Sequence, residues 1–217
     1  MSPNIIFKNQ HFVIVDKPVA TLSVPSRLGR QDPRPVAGII LQEFLGIQVY
    51  PLHRLDEDTS GLLMFGLSAA ASRAGNQWFE GHQILKTYEA LSRPIDPADA
   101  NRWQAEQRWE CKLMRGKRRA YEASFGKSSV TVAQFTGHSQ SGRSVWLLNP
   151  ITGRSHQLRY EMARHGFPID GDHLYGSEAV AKSTPGIDLR AFKLDLKNCS
   201  DRADFDLPDQ LLISGLN

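Results

Sequence analysis

Cysteine is nearly absent from this chain. Two residues, Cys111 and Cys199, stand far apart in 217 positions, outside any metal-ligand spacing. That argues against a disulfide framework and leads us to expect a reduced, cytoplasmic protein. Long apolar runs are missing too. The most apolar window, residues 61–71, is too short to span a bilayer and contains serine. The N-terminus shows no long apolar run and no small-residue cleavage site, so an unexported chain with no membrane partner is expected. No internal repeat is visible, which excludes solenoid and propeller architectures. No two histidines lie at helical ligand spacing, so no metal is expected.

What is present fits an ordinary globular protein, 41% hydrophobic and 23% charged. The length supports one substantial core, or at most two closely joined lobes, and residues 1–217 read as a single domain. Net charge is +3, an excess that permits nucleic-acid binding without demanding it. Arg115, Lys117, Arg118 and Arg119 cluster, and Arg154, Arg159 and Arg164 recur along one later segment. For the first cluster, a solubilising face and an RNA contact are equally good explanations.

Hydrophobic patterning outlines the elements. Residues 12–15 form an apolar strand ended at Asp16-Lys17-Pro18. Residues 21–35, rich in Pro, Ser, Gly and Arg, read as a loop. Val36, Ile39, Ile40, Phe44 and Leu45 repeat with helical period, and Gly46 is the expected stop. Residues 62–66 predict a buried strand, followed by a helix capped by Ser68 and ended at Gly81. Residues 84–91 alternate as a strand, and Pro94 and Pro97 predict a turn. Residues 102–142 suggest several short antiparallel strands, with 143–148 a clearer one. A helix follows over 155–165, capped by Ser155, and residues 189–196 make a final strand before an acidic tail. Strands outnumber helices and their turns are too short for crossovers. The expected class is α+β, with a large, mainly antiparallel mixed sheet.

The most informative segment is HRLDEDTSG, residues 53–61, bracketed by VYPL before and LLMF after. A solvated turn has no need of a strand on each side, whereas a catalytic loop on rigid elements does. Its carboxylates are Asp56, Glu57 and Asp58. Two further patches stand out: Tyr88 within KTY, and TGRSHQLR at residues 152–159. In the latter, the first helical turn would present His156, Gln157 and Arg159, with His156 and Arg159 on one face. Leu158 and Met162 form an i, i+4 apolar pair that would pin the helix. As a plain surface residue, Arg159 would pair with Glu161 or Glu178. Among the neighbours, Glu57 and Asp58 read as structural, one facing solvent and the other accepting backbone N–H bonds in the Thr59-Ser60-Gly61 turn. Asp170-Gly171-Asp172 reads as a turn.

HRLDEDTSG, KTYEAL, PITGRSHQLRYEMARHGFPIDGDHLYG and the early VDKP together resemble the RluA-type pseudouridine synthases, from about residue 12 to 196. The resemblance implies the pseudouridine-synthase fold, with its active site in a central cleft. It also implies isomerisation of uridine in ribosomal or transfer RNA. Asp56 would be the essential aspartate, Tyr88 the tyrosine stacked on uracil, and Arg159 the arginine paired with the aspartate. Arg54 would enter the RNA stack in place of the flipped nucleotide. His53, Arg154, His156 and Gln157 would serve substrate binding.

The chemistry suits these residue types. Breaking N1–C1′, turning the base and joining C5 to C1′ gains and loses no atoms, so no cofactor or metal is implied. A carboxylate can act as nucleophile, or as stabiliser and base. To stay ionised under a base it needs an arginine that offsets desolvation.

The chain departs from the family in carrying Glu57 where several members have a basic residue, and Leu189-Arg190-Ala191 where a histidine is usual. VDKP begins about a dozen residues in, so an S4-like domain before it is not expected, and the catalytic domain, as a monomer, would select its own RNA. Two alternatives stand beside this one. A carboxylate-dependent glycosidase or nucleoside hydrolase would need Asp58 or Asp172 as second carboxylate. A non-catalytic RNA-binding module of the same fold would need none of the three residues together.

Overall fold

The computed structural model describes residues 2–176 and 186–216. In chain order the elements are β1 (Asn4–Lys8), β2 (Phe12–Lys17), α1 (Ala37–Leu45), β3 (Tyr50–Pro51), β4 (Ser60–Gly66), α2 (Ala69–Glu80) and β5 (Leu85–Ser92). They continue with α3 (Pro97–Gln104), β6 (Gln107–Arg115), β7 (Ala120–Glu122), β8 (Lys127–His138), β9 (Ser144–Pro150), α4 (Gln157–Arg164), β10 (Leu189–Asp195) and β11 (Gln210–Leu212). The class is α+β. The chain divides into two compact units, Met1–Leu85 with Ala191–Ile213, and Lys86–Arg190 with Ser214–Asn217.

In the first unit β2 pairs antiparallel with β1 on one side and with β4 on the other, from Phe12 opposite Gly66 to Lys17 opposite Gly61. β3 adds to β4, and β11 pairs with β10. All seven residues of β4 are buried, as expected of a strand covered on both faces. Leu62 and Met64 of this strand join Phe12, Ile14, Trp78, Leu194 and Leu196 in one core cluster. α2 starts where its chemistry says it should: the Ser68 hydroxyl accepts from the Ala71 N–H at 3.2 Å. α1 ends on Gly46 at φ 69°, the left-handed cap that glycine adopts at no steric cost.

In the second unit β9 lies between β5 and β8, β8 pairs with β6, and β6 carries the short strand β7. Every pairing named here is antiparallel. Trp103, Trp109 and Trp146 are buried against one another, with ring centroids 5.7 to 6.3 Å apart, and Phe167 and His165 complete the cluster.

Five expectations change. Residues 94–97 do not make a simple turn, because Asp96 accepts from the Ala98 N–H at 2.9 Å and Pro97 opens α3; proline costs nothing at a first helical position. Two of the strands over 102–142 are long, nine residues in β6 and twelve in β8, and only β7 is short. β5 does not alternate in burial: Leu85 is exposed, Lys86 and Thr87 are half-buried, and residues 88–92 are all buried. Ser155 does not cap α4: His156 occupies the cap position at φ 53°, with no side-chain hydrogen bond to the helix. β10 is not the final strand, because β11 follows it within the acidic tail.

Candidate active site

Asp56 sits in the first unit on the connection between β3 and β4, and two buried side chains and one backbone N–H hold that connection. Lys17, at the end of β2, is fully buried; its ammonium donates to the carbonyls of Thr21 at 2.7 Å, Pro18 at 2.8 Å and Glu57 at 3.0 Å. Ser23 grips Leu55 at both backbone groups, donating to its carbonyl at 2.8 Å and accepting from its N–H at 2.9 Å. The N–H of Thr21, itself buried, donates to the Glu57 carbonyl at 3.4 Å. The Thr59 N–H closes the turn onto the Asp56 carbonyl at 3.1 Å. Asp56 is thus flanked on both sides by residues whose backbones are tied down, while its own side chain is partly exposed.

Gly61 ends this loop at φ 114°, and a Cβ there would lie 2.2 Å from the Ala191 carbonyl oxygen. Only glycine fits.

Burial pushes the Lys17 ammonium down to about 8, against the pull of Asp58, Asp56, Glu57 and Asp16 in the other direction. Glu57 binds Arg34, whose guanidinium also holds Asp32 at 2.6 and 2.8 Å. The Arg34 hydrogen bonds in turn keep Asp32 well below the usual carboxylate range. Glu57, partly exposed, is therefore a partner in a surface ion-pair network.

His53 accepts from the Met64 N–H at 3.1 Å through Nε2 and stacks on Phe79 at 4.5 Å. It fastens the start of the loop to β4. Arg54, next to it, is exposed, in reach of a ligand from solvent.

In the second unit Tyr88 lies on β5 opposite Leu148 and is 9% exposed. Two residues before it, burial lowers the Lys86 ammonium from its ordinary value.

Arg159 is 3% exposed and meets the equally buried Asp172 through two parallel contacts, Nε to Oδ2 and a terminal nitrogen to Oδ1, each 2.7 Å. Asp172 also accepts from the N–H groups of Leu174 at 2.9 Å and Tyr175 at 3.3 Å. The Tyr175 ring lies 5.6 Å from the Arg159 guanidinium carbon, within cation–π range. Glu161 pairs with Arg164 instead, and Glu178 lies outside the described residues. The neighbouring Asp170 carboxylate holds Arg143.

The remaining residues of the TGRSHQLR string divide. Gln157 is buried with both ends of its amide engaged: its oxygen accepts from Thr152 at 2.8 Å and the Arg154 N–H at 3.0 Å, and its nitrogen donates to Val130 and Thr131 at 2.9 Å. Those bonds moor the loop before α4 to β8. Arg154 Nε donates to the Ser128 carbonyl at 2.8 Å. His156 Nδ1 lies 3.2 Å from the Tyr175 hydroxyl. Among the described residues no three His, Cys, Asp or Glu side chains group closely enough to hold a metal ion.

Lys17, Ser23 and Tyr175 make supporting contacts that residue patterns alone did not single out, and Asp172, read as part of a turn, is the partner of Arg159. A lysine at the end of an apolar strand, one residue past Phe12-Val13-Ile14-Val15, was the available signal for Lys17. The two acids of the Asp-Gly-Asp string were the signal for Asp172.

A carboxylate on a clamped loop in the first unit, and a buried tyrosine and a buried arginine in the second, are groups of the class an α+β enzyme uses. Comparison with known proteins makes the class specific. The chain matches the RNA pseudouridylate synthase family over residues 11–164. It is 30% identical over 203 residues to the dual-specificity RNA pseudouridine synthase RluA of Pasteurella multocida (strain Pm70), covering 90% of this chain and 87% of that one. It is 34% identical over 180 residues to the tRNA pseudouridine synthase C of Yersinia pestis, covering 79% and 70%. In fold it is similar to human RNA pseudouridylate synthase domain containing 1, with a TM-score of 0.72 at 22% identity, covering 99% of this chain and 91% of that one. The chain belongs to the RNA pseudouridylate synthase family, whose members are isomerases, and within it to the RluA-like group.

Proposed function

We propose that this chain converts uridine to pseudouridine in transfer or ribosomal RNA, with Asp56 as the reacting carboxylate. The glycosidic N1–C1′ bond breaks, the uracil turns, and C5 bonds to C1′. The proton leaves C5 and N1 regains one, so atoms and charge balance without a co-reactant. Asp56 attacks or stabilises the electron-poor sugar carbon while the base is detached. Tyr88 offers a ring on which the extruded uracil stacks, an interaction of about 1–3 kcal/mol. Arg159 supplies positive charge toward the reacting carboxylate. Arg54 takes the place of the flipped nucleotide in the RNA, with His53, Arg154, His156 and Gln157 ordering the segments around it. The chain works as a monomer in the cytoplasm.

The observation that carries this proposal is the clamp of Lys17, Thr21 and Ser23 on the backbone around Asp56. Buried groups that grip a polar loop at both flanks of one partly exposed carboxylate serve preorganisation better than they serve packing. RNA carrying tritium at uracil C5 provides the test. Release of label to water, with pseudouridine in the digested product, supports the isomerase. Free uracil in the product would mark a hydrolase, and RNA bound without release a binding module.

A further inference from the structure

The charge of this chain is concentrated in one place. Residues 112–127 hold Lys112, Arg115, Lys117, Arg118, Arg119 and Lys127 against a single acid, Glu122. That stretch carries +6 − 1 = +5, so with +3 overall the rest of the chain is net −2.

The same stretch forms the β6–β7 hairpin and the turn leading into β8. Arg115 pairs with Ala120, and the Gly116 N–H donates to the Arg119 carbonyl at 3.0 Å, which makes a tight tip. A Cβ at Gly116 would meet that carbonyl at 2.5 Å, so the tip depends on glycine. Its cations are exposed: Lys112 and Arg115 on β6, Lys117, Arg118 and Arg119 in the tip before β7, and Lys127 at the start of β8.

A solubilising face would explain the cations, but not the rings between them. Tyr121 is 45% exposed and Phe125 is 74% exposed, the most open large apolar side chain among the described residues. Glu122, the one acid, receives the Tyr160 hydroxyl at 3.3 Å. Apolar rings set among cations on an exposed edge match the two faces of an unpaired nucleic-acid strand: phosphates take the cations and bases stack on the rings.

The hairpin is also joined to the arginine helix. The Tyr175 hydroxyl, beside His156, accepts from the Ala120 N–H at 2.6 Å and lies 3.2 Å from its carbonyl, and Arg119 donates to the Leu174 carbonyl at 3.3 Å. Strand binding at the tip is therefore mechanically tied to the loop that holds Arg159.

We propose that the β6–β7 hairpin and the turn after it form a docking surface for single-stranded RNA beside the target uridine, with Phe125 and Tyr121 as base-stacking platforms and Lys117 and Arg118 on the phosphates. This rests on the RNA isomerase assigned above but is tested independently of it.

The probes are a fluorescent oligouridine strand, a blunt RNA duplex and polyglutamate. Phe125→Ala weakens strand binding roughly 5- to 150-fold, the equivalent of one lost stack, and leaves duplex binding within twofold. Phe125→Trp restores strand affinity, which separates stacking from misfolding. Lys117→Gln with Arg118→Gln lowers the slope of log affinity against log salt by about 1.4, at roughly 0.7 per single-strand phosphate. Unchanged strand affinity in Phe125→Ala, equal losses on strand and duplex, or polyglutamate competing as well as the strand would overturn the surface. If the ring variants behave as expected but no RNA yields pseudouridine with the wild-type protein, the surface stands and the isomerase assignment falls.

Discussion

Arg159 and Asp172 are locked together by two hydrogen bonds of 2.7 Å each, with both side chains buried. A fork-to-fork pair of this kind fixes the guanidinium plane as well as its position. It consumes two of the five N–H donors of an arginine. Asp172→Ala leaves a buried cation without this partner and strips acceptors from the Leu174 and Tyr175 N–H groups. We expect a loss of about 3–5 kcal/mol in stability, read by urea unfolding. Asp172→Asn keeps the shape and most of the acceptors but not the charge, so the protein folds while turnover under saturating RNA falls roughly 10- to 100-fold, the range seen when a supporting hydrogen-bond partner is lost. Turnover at the wild-type level in Asp172→Asn would show that the pair is only structural.

Lys17 carries a pH dependence of definite sign. Its folded-state value of about 8 lies below the ordinary 10.5. Between those values the unfolded chain binds the proton more tightly, so this group makes stability rise with pH from about 8 to 10.5. Deprotonation also removes one N–H from the three carbonyls it holds. Activity should therefore decline as pH rises through about 8, while stability from this source increases. Lys17→Met abolishes that activity step and costs about 1–3 kcal/mol for each carbonyl left without a donor. Paired pH profiles of turnover and urea midpoint make the comparison.

Ser23→Ala removes both contacts to Leu55 and leaves that buried N–H and carbonyl without the hydroxyl. A stability loss of about 1–3 kcal/mol follows. Because Leu55 adjoins Asp56, turnover should drop by more than RNA affinity does, a split visible in single-turnover kinetics. Ser23→Thr, which keeps the hydroxyl, should recover part of the rate.

Gly61→Ala places a methyl group 2.2 Å from the Ala191 carbonyl oxygen, in a backbone conformation that side chains rarely adopt. The two penalties together should exceed about 4 kcal/mol, lowering the thermal midpoint sharply. A variant that unfolds at the wild-type temperature would mean that β4 and β10 separate more easily than their packing implies.

Much of this architecture is legible in sequence, for identifiable reasons. β2, α1, β4 and α2 have strong periodicity with chemical stops at Pro18, Gly46 and Gly81. α3 is hidden because Pro94 and Pro97 look like a turn, although Asp96-Pro97 is equally a helix start. The alternation expected for β5 fails because its second half is buried on both faces. The Asp56 loop, Tyr88 and Arg159 stand out through the density of polar residues between apolar ones. The supports do not, because their partners are remote: Lys17 reaches a carbonyl 40 residues away and Ser23 one 32 residues away. Backbone carbonyls leave no trace in residue identity. His156 likewise conceals its cap position, since it stands there at φ 53° with no side-chain hydrogen bond to the helix.

The central claim is that Asp56 reacts while its neighbours only hold it. It is tested most directly by Asp56→Asn, assayed by tritium release from C5-labelled RNA under single-turnover conditions, alongside RNA affinity. We predict release at background with affinity within a few-fold of wild type, and Glu57→Gln and Asp58→Asn that still turn over. Release at the wild-type rate from Asp56→Asn, or abolished release in Asp58→Asn with Asp56 intact, would contradict it.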